Sequence, residues 1–281
     1  MNEAKIRDFW NANPCGEGLV GGLNEDYEAF FDEYDQYRYG LEPILPELDR
    51  LGLEGLKVLE IGLGQGADSE QLIRRGARWT GIDLTPESGR RVRKRMEIRG
   101  LDFDDIVVGS ALEMPFEDNS FDLVYSFGVL HHIPEVHRVQ QEIHRVLRPG
   151  GRLVMMMYAR NSLNYQLSIR VVRRLGLLAA LVTNSQDPKV ARHVELAREN
   201  GVFQYLRMRN FIHRNTDGPD NPYAKVYDVE EIEKDFPLFT MKDSFQRFMH
   251  APPLPVHGLP GGRFLGWHLW AIMNPNKAPQ A

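Results

Sequence analysis

Glu60-Ile-Gly62-Leu-Gly64-Gln-Gly66 sets three glycines at alternate positions, with a carboxylate two residues before the first. Glycines so spaced let the chain turn sharply and bring its backbone against a ligand. A helix that follows offers free N–H groups. Gly62, Gly64 and Ala67 also satisfy the dinucleotide pattern GxGxxG/A, so the loop alone leaves the ligand open. Glu60 favours an ammonium over a pyrophosphate at that point. Asp83, 21 positions after Gly62, stands where a carboxylate accepts both hydroxyls of a ribose. Thr85 is placed to cap the next helix, so Asp83 is expected to be free for a ligand.

His131 and His132 form a second candidate pair. A histidine near neutral pH takes a proton from an attacking oxygen, nitrogen or sulfur; the alternative is that the pair packs and orients its loop. His131, His132, His137 and His144 lack zinc-type spacing, so no metal site is expected. The lone Cys15 excludes an internal disulfide or a CxxC site and is expected to be structural. Arg90, Arg91, Arg93, Lys94, Arg95 and Arg99 crowd one stretch. They are expected on a solvated helix face, with Val92, Met96 and Ile98 turned inward.

Elements that would position these groups follow from periodicity. Lys57–Gly62 is an apolar run ending in glycines, as in a buried parallel strand. A helix over 68–75 stops at Gly76. Strands are expected at 79–83, 106–108, 121–127 and 152–158. Thr85-Pro86-Glu87 starts one helix. Pro134 opens another, with Val136, Val139, Ile143, Val146 and Leu147 as its apolar stripe. Strands alternating with helices at this pitch predict an α/β, doubly wound, mostly parallel sheet. Its ligands sit beyond the carboxyl ends of the strands.

Taken together, Val58–Gly66, Gly81-Ile-Asp83, Gly109–Phe116, Phe121–His132 and Leu147–Leu153 resemble the class I S-adenosylmethionine-dependent methyltransferases, nearest their small-molecule, ubiquinone-methylase-like subgroup. The resemblance covers about 55–160. It implies a Rossmann-like seven-stranded core and in-line transfer of a methyl group from S-adenosylmethionine to a small-molecule acceptor. Gly62, Gly64 and Gly66, with Glu60, would hold the methionine part. Asp83 would take the ribose, with Leu84 beside it. Ser110, Ala111 and Leu112 would frame the adenine, and Phe127 would line the sulfonium side. Ser110 departs from the aspartate common in the family, so an adenine bond there lacks charge assistance. His132 and His131 are the candidate catalytic residues; Tyr158, His213 and Tyr223 are candidates for the acceptor.

Four segments are expected: a helical N-terminal lid, 1–56; the cofactor-binding core, 57–160; a helical and loop insertion over the acceptor site, 161–235; and two closing strands within 236–281, at about 236–249 and 264–273. Aromatics of the lid, such as Trp10, Tyr34 and Tyr37, either join the core or stack on the ligand. The net charge of −5 does not favour nucleic acid or anionic lipid as partners. No apolar run is long enough for a membrane span, and the polar first residues do not read as a signal peptide, so a cytoplasmic protein is expected. A nicotinamide oxidoreductase and a non-catalytic S-adenosylmethionine-binding protein are the alternative functions.

Overall fold

Short β-branched and aliphatic runs become the middle of the sheet because both of their faces are covered. The computed structural model describes residues 3–16 and 26–278. Glu3–Ala12 (α1), Tyr27–Leu41 (α2) and Leu45–Asp49 (α3) precede the first strand. The chain breaks after α1 at Pro14, as expected, and most of the Gly16–Gly22 run lies outside the described residues. Lys57–Ile61 (β1), Ala67–Arg74 (α4), Arg78–Asp83 (β2), Pro86–Arg99 (α5) and Asp105–Val108 (β3) then alternate. Phe121–Phe127 (β4), Val136–Val146 (α6) and Leu147–Tyr158 (β5) complete the parallel part. The segment after β5 holds a π-helix, Asn164–Val172, then Arg173–Thr183 (α7), Pro188–Asn200 (α8), Val202–Leu206 (α9), Met208–Phe211 (α10) and Val229–Asp235 (α11). Phe239–Arg247 (β6), Gly262–Leu265 (α12) and His268–Pro275 (β7) end the fold.

The seven strands lie in the order β3-β2-β1-β4-β5-β7-β6. β1 to β5 pair in parallel, while β7 runs antiparallel to both β5 and β6. The expected doubly wound α/β core is therefore present, and its strand order reverses between β1 and β4. Val58, Leu59, Leu123, Val124, Leu153 and Val154 are fully buried, each contributing about 1.5–3 kcal/mol by leaving water. The segment 161–235 builds a smaller apolar cluster of its own around Ile169, Leu177, Ala197, Tyr205 and Phe211, closed by Phe248 and Trp267.

Some boundaries move. β5 starts at Leu147 rather than Arg152, and its pairing with β4 shifts register between Phe121 and Leu123, which absorbs the Pro149-Gly150-Gly151 turn. The closing strands are shorter than expected. Phe236 is the buried C-cap of α11 instead of a strand residue, and Phe264 sits exposed on α12.

The arginine-rich helix departs further from expectation. Val92 and Met96 face inward as the periodicity requires, yet Arg91 and Arg95 are buried too. α2 lies across the face of α5 that would otherwise meet solvent. There Arg95 donates from Nε to Glu70 at 2.8 Å, bonds Asp35, and places its guanidinium 5.0 Å above the ring of Phe31. Ile98 packs only partly buried, against Phe30, Phe31 and Tyr34. Arg90, Arg93 and Lys94, with side chains 55%, 52% and 41% exposed, are the solvated members.

Replacing Arg95 leaves Asp35 without its fully buried partner and Glu70 with Arg74 and Arg99 alone. Arg95→Ala is expected to cost about 3–5 kcal/mol of folding stability, read as a lower midpoint in urea unfolding. A loss under about 1 kcal/mol would show that the pair carries no more than a surface bridge does.

Candidate active site

A cavity opens beyond the carboxyl ends of β1, β2 and β4, at the point where the strand order reverses, the place such sheets reserve for ligands. Its floor is the loop after β1. Gly62 holds φ +81°, and a Cβ there would lie 2.2 Å from Val129 Cγ2, so only glycine fits that turn. Glu60, Gly62, Gly64, Asp83, Leu84, Ala111, Leu112, Phe127 and His132 all line the cavity. The expected residues from four separate stretches of sequence thus meet at one place.

Glu60 is buried in β1, and Ser69 Oγ and Trp79 Nε1 donate to its Oε2 at 2.6 and 2.8 Å. Among the described residues, both of these bonds go to the one oxygen and none engages Oε1. Burial pushes its carboxyl up to about 8, against the pull of those two donors. Asp83 is not free as expected. Its Oδ2 accepts from Leu63 N at 2.7 Å, and its Oδ1 accepts from Thr85 N at 2.8 Å and Thr85 Oγ1 at 2.7 Å. Gly64 N adds a further bond to the carboxylate. Asp83 therefore braces both the glycine loop and the start of α5, although Thr85 also caps that helix by accepting from Ser88 N. A carboxylate has about four acceptor positions, so Asp83 is close to saturated.

Four of the other expected contributors stand behind the cavity wall. Gly66 (φ +77°) is the N-cap of α4, and a Cβ there would meet Val92 at 3.0 Å; its task is to let α4 approach α5. Ser110 turns its hydroxyl to Glu3 while accepting from Leu112 N at 3.0 Å, so it pins α1 and shapes the Gly109–Leu112 turn. His131 is fully buried, its ring 3.9 Å from that of Tyr158, and burial holds it well below the usual histidine value and hence neutral. It packs against Tyr158 and does not line the cavity. His213 bonds the carbonyl oxygen of Asn221 and orders its own loop.

The remaining two reach the cavity only through His132. The Nδ1 of His132 lies 2.8 Å from the carbonyl oxygen of Tyr223, so that nitrogen carries the proton. Nε2 then faces Asp217 Oδ2 at 3.4 Å, while Tyr158 donates its hydroxyl to Asp217 Oδ1 at 2.8 Å. Tyr223 acts through its backbone and Tyr158 through Asp217. No side chain of 161–235 lines the cavity; this segment supports the wall from behind instead of forming it.

The roof comes from the N-terminal segment: Glu3, Ile6, Trp10, Cys15, Tyr34 and Arg38. Trp10 meets the ring of His132 edge-on at 5.1 Å. Arg38 binds Asp68 through Nε (3.2 Å) and Nη2 (2.7 Å) and lies 4.7 Å over the ring of Phe127. Asp68 also accepts from Tyr39 and Tyr125 at 3.1 and 3.0 Å. Cys15 lies on the roof rather than in the core, and Gln65 Nε2 donates to its carbonyl oxygen at 3.0 Å. Arg38 and Asp68 had no assigned role in the sequence. Asp68, in the first turn of the helix after the glycine loop, had a readable signal; Arg38 had none, because its partner lies 30 residues away. Among the described residues, no group of three or more His, Cys, Asp or Glu side chains could hold a metal ion.

Comparison with known proteins agrees with this geometry. Residues 59–155 match the family described as "Methyltransferase domain". The chain is similar to the phthiotriol/phenolphthiotriol dimycocerosates methyltransferase of Mycobacterium leprae, 38% identical over 37% of this chain and 38% of that protein. It is also similar to the fatty-acid O-methyltransferase of Mycolicibacterium smegmatis, 37% identical over 41% of each. A sterol 24-C-methyltransferase of Gibberella zeae is 39% identical over 34% of this chain and 26% of its own. The chain thus spans about two fifths or less of these relatives' length. Among solved structures, an S-adenosylmethionine-dependent methyltransferase from Aquifex aeolicus superposes with TM-score 0.54 at 14% identity, over 89% of this chain and 98% of that one. The [4+2]-cyclase SpnF does so with TM-score 0.58 at 15% identity, over 97% and 96%. These two likenesses show the fold.

Two outcomes follow from the carboxylates. Asp83→Ala removes the acceptor of several backbone and hydroxyl donors and is expected to lower folding stability by about 1–3 kcal/mol; an unchanged unfolding midpoint would refute the bracing role. Between its ordinary value of 4.5 and about 8, folded Glu60 keeps a proton that the unfolded chain releases. Stability contributed by this residue therefore falls as pH rises through that window. Glu60→Gln is expected to flatten that fall, matching the parent near pH 5 and exceeding it above pH 8 in thermal unfolding. An identical pH dependence in both proteins would contradict the raised value.

Proposed function

We propose, from the class I methyltransferase domain that residues 59–155 carry, that this chain transfers the methyl group of S-adenosylmethionine to a small, largely apolar, lipid-like acceptor. The observation that carries the reading is the single cavity wall shared by Glu60, the glycine loop, Asp83 and Phe127 at the sheet's switch point. Glu60 fits the cofactor's ammonium because only one of its oxygens is used internally. A cation beside that buried carboxyl would restore its ionised form. The ribose hydroxyls would compete at Asp83 with Thr85 Oγ1, the one side-chain donor among its partners. Ala111 and Leu112 would frame the adenine, with backbone groups of their turn doing what Ser110 does not.

S-adenosylmethionine would supply an already activated methyl group, so the protein's work is positioning and exclusion of water. Arg38 braces Phe127 from one side of the cavity, and Trp10 closes it over His132. An acceptor that begins protonated must lose its proton, and His132 is the cavity-lining group suited to take it. With Nδ1–H held by Tyr223 the lone pair is on Nε2, and Asp217, 3.4 Å from that same nitrogen, would pair with the imidazolium formed. A carboxylate acceptor would need no base. The relatives' names, a fatty-acid O-methyltransferase, a phthiotriol-type lipid methyltransferase and a sterol methyltransferase, favour an apolar acceptor.

The test is production of S-adenosylhomocysteine from labelled S-adenosylmethionine over a panel of fatty acids, sterols and long-chain alcohols, beside polar amines and catechols. Turnover is expected with an apolar member and is expected to fall at least about a hundredfold in Glu60→Gln with the cofactor below saturation. Cofactor binding without turnover on any acceptor would favour a non-catalytic binding protein, and tighter binding of NAD would remove the cofactor assignment.

A further inference from the structure

The stretch 161–186 contains three arginines and no aspartate or glutamate, in a chain whose acidic residues outnumber its basic ones 39 to 34. It forms the π-helix and α7. Ile169, Leu177 and Ala180 on its inner side are buried in the cluster of the inserted segment. Leu167, Val171, Leu175, Leu178 and Val182 follow one another at steps of four, four, three and four, the spacing of an apolar helical stripe. All five are exposed, from 40% at Leu167 to 87% at Val182. Single exposed apolar residues are ordinary, but a continuous stripe over about four turns marks a surface that is covered in use.

Charge identifies what covers it. Arg170 and Arg174 flank the stripe, and neither forms an ion pair among the described residues; Arg170 bonds the amide oxygen of Gln166 and lies over Tyr165. Elsewhere on the molecule, the guanidiniums of Arg145 and Arg192 are matched by carboxylates. At the far end Arg198 donates to Asn184 Oδ1 at 2.7 Å, joining α8 to the cap of α7. Val182 and the 91%-exposed Phe203 stand within a few residues on either side of that bond. A second copy of the chain meeting this face symmetrically would bring one acid-free, arginine-bearing helix against another, which like charges oppose.

We propose that this face docks on an anionic lipid bilayer, with the stripe and Phe203 entering the boundary between headgroups and acyl chains and with Arg170 and Arg174 against lipid phosphates. An apolar face bordered by arginines is what such a surface holds. The whole-chain charge of −5 does not oppose this, because screening confines a surface potential to about 8–10 Å and only the local face is felt. No helix of the described residues is long and apolar enough to cross a membrane, so the contact is peripheral. It holds whichever acceptor the cavity takes.

The test is sedimentation of the full chain with vesicles of equal parts phosphatidylglycerol and phosphatidylcholine, and with vesicles of phosphatidylcholine alone. Binding is expected to the mixed vesicles, weakened by salt, and at least about tenfold weaker to the neutral ones. Arg170→Gln with Arg174→Gln is expected to reduce binding by about twentyfold, and Leu175→Glu with Val182→Glu to abolish it. All four positions lie at least partly at the surface, so unfolding midpoints should stay unchanged and separate lost docking from lost folding. Absence of binding to either vesicle would overturn the proposal, as would equal binding to both or binding indifferent to the substitutions. A stable dimer that Val182→Glu splits would overturn it in favour of self-association.

Discussion

One buried carboxylate, Asp68, joins three parts of the molecule that the chain makes far apart. It sits in the first turn of α4, accepts two bonds from Arg38 and one from Tyr39 of α2, and takes another from Tyr125 of β4. A charge this deep is tolerable only when its partners are fixed and all present. α2 is therefore held in one position over the sheet, and with it the roof of the cavity. Arg38 can lie flat on Phe127 only because Asp68 has already oriented its guanidinium. Arg95 repeats the device about one turn earlier along α2, between Glu70 and Asp35.

The two carboxylates at the ends of β1 and β2 show how burial divides similar groups between tasks. Asp83 spends its acceptor positions on the loop and on Thr85, so it shapes the cavity before any ligand arrives. Glu60 commits a single oxygen and stands nearly desolvated, with its proton held up to about 8. Such a group is costly to ionise alone and gains most from a cation placed beside it. Preorganisation at one residue and unmet electrostatic demand at its neighbour together define a site for a polar, cationic end of a ligand.

The segment between β5 and β6 acts at a distance from the cavity. Its loop delivers Asp217 and the carbonyl oxygen of Tyr223 to either nitrogen of His132, and Lys225 N bonds the carbonyl oxygen of His131 at 3.0 Å. The same segment turns an acid-free, apolar helix outward. Wall support and outer surface are thus built from one piece of chain, with its own small core between them.

The α/β core was legible in the sequence because its parallel strands are local apolar runs and its crossover helices carry local stripes, with Thr85 as the cap of α5. Glu60, Gly62, Gly64, Asp83, Ala111, Leu112 and Phe127 were legible as neighbours of one cavity for the same reason: strand ends in a doubly wound sheet point to one place whatever the side chains do. What those side chains bond was only partly local. One oxygen of Asp83 is taken by Thr85 two residues on and the other by Leu63, 20 residues earlier, and Arg95 looked solvated because α2 covers it from 60 residues away. His131 and His132 are adjacent in sequence, yet one is sealed against Tyr158 and the other lines the cavity. Period and spacing determine which elements form and where their ends meet; only packing decides which charges are buried, which partners they find, and which neighbour of a pair faces the ligand.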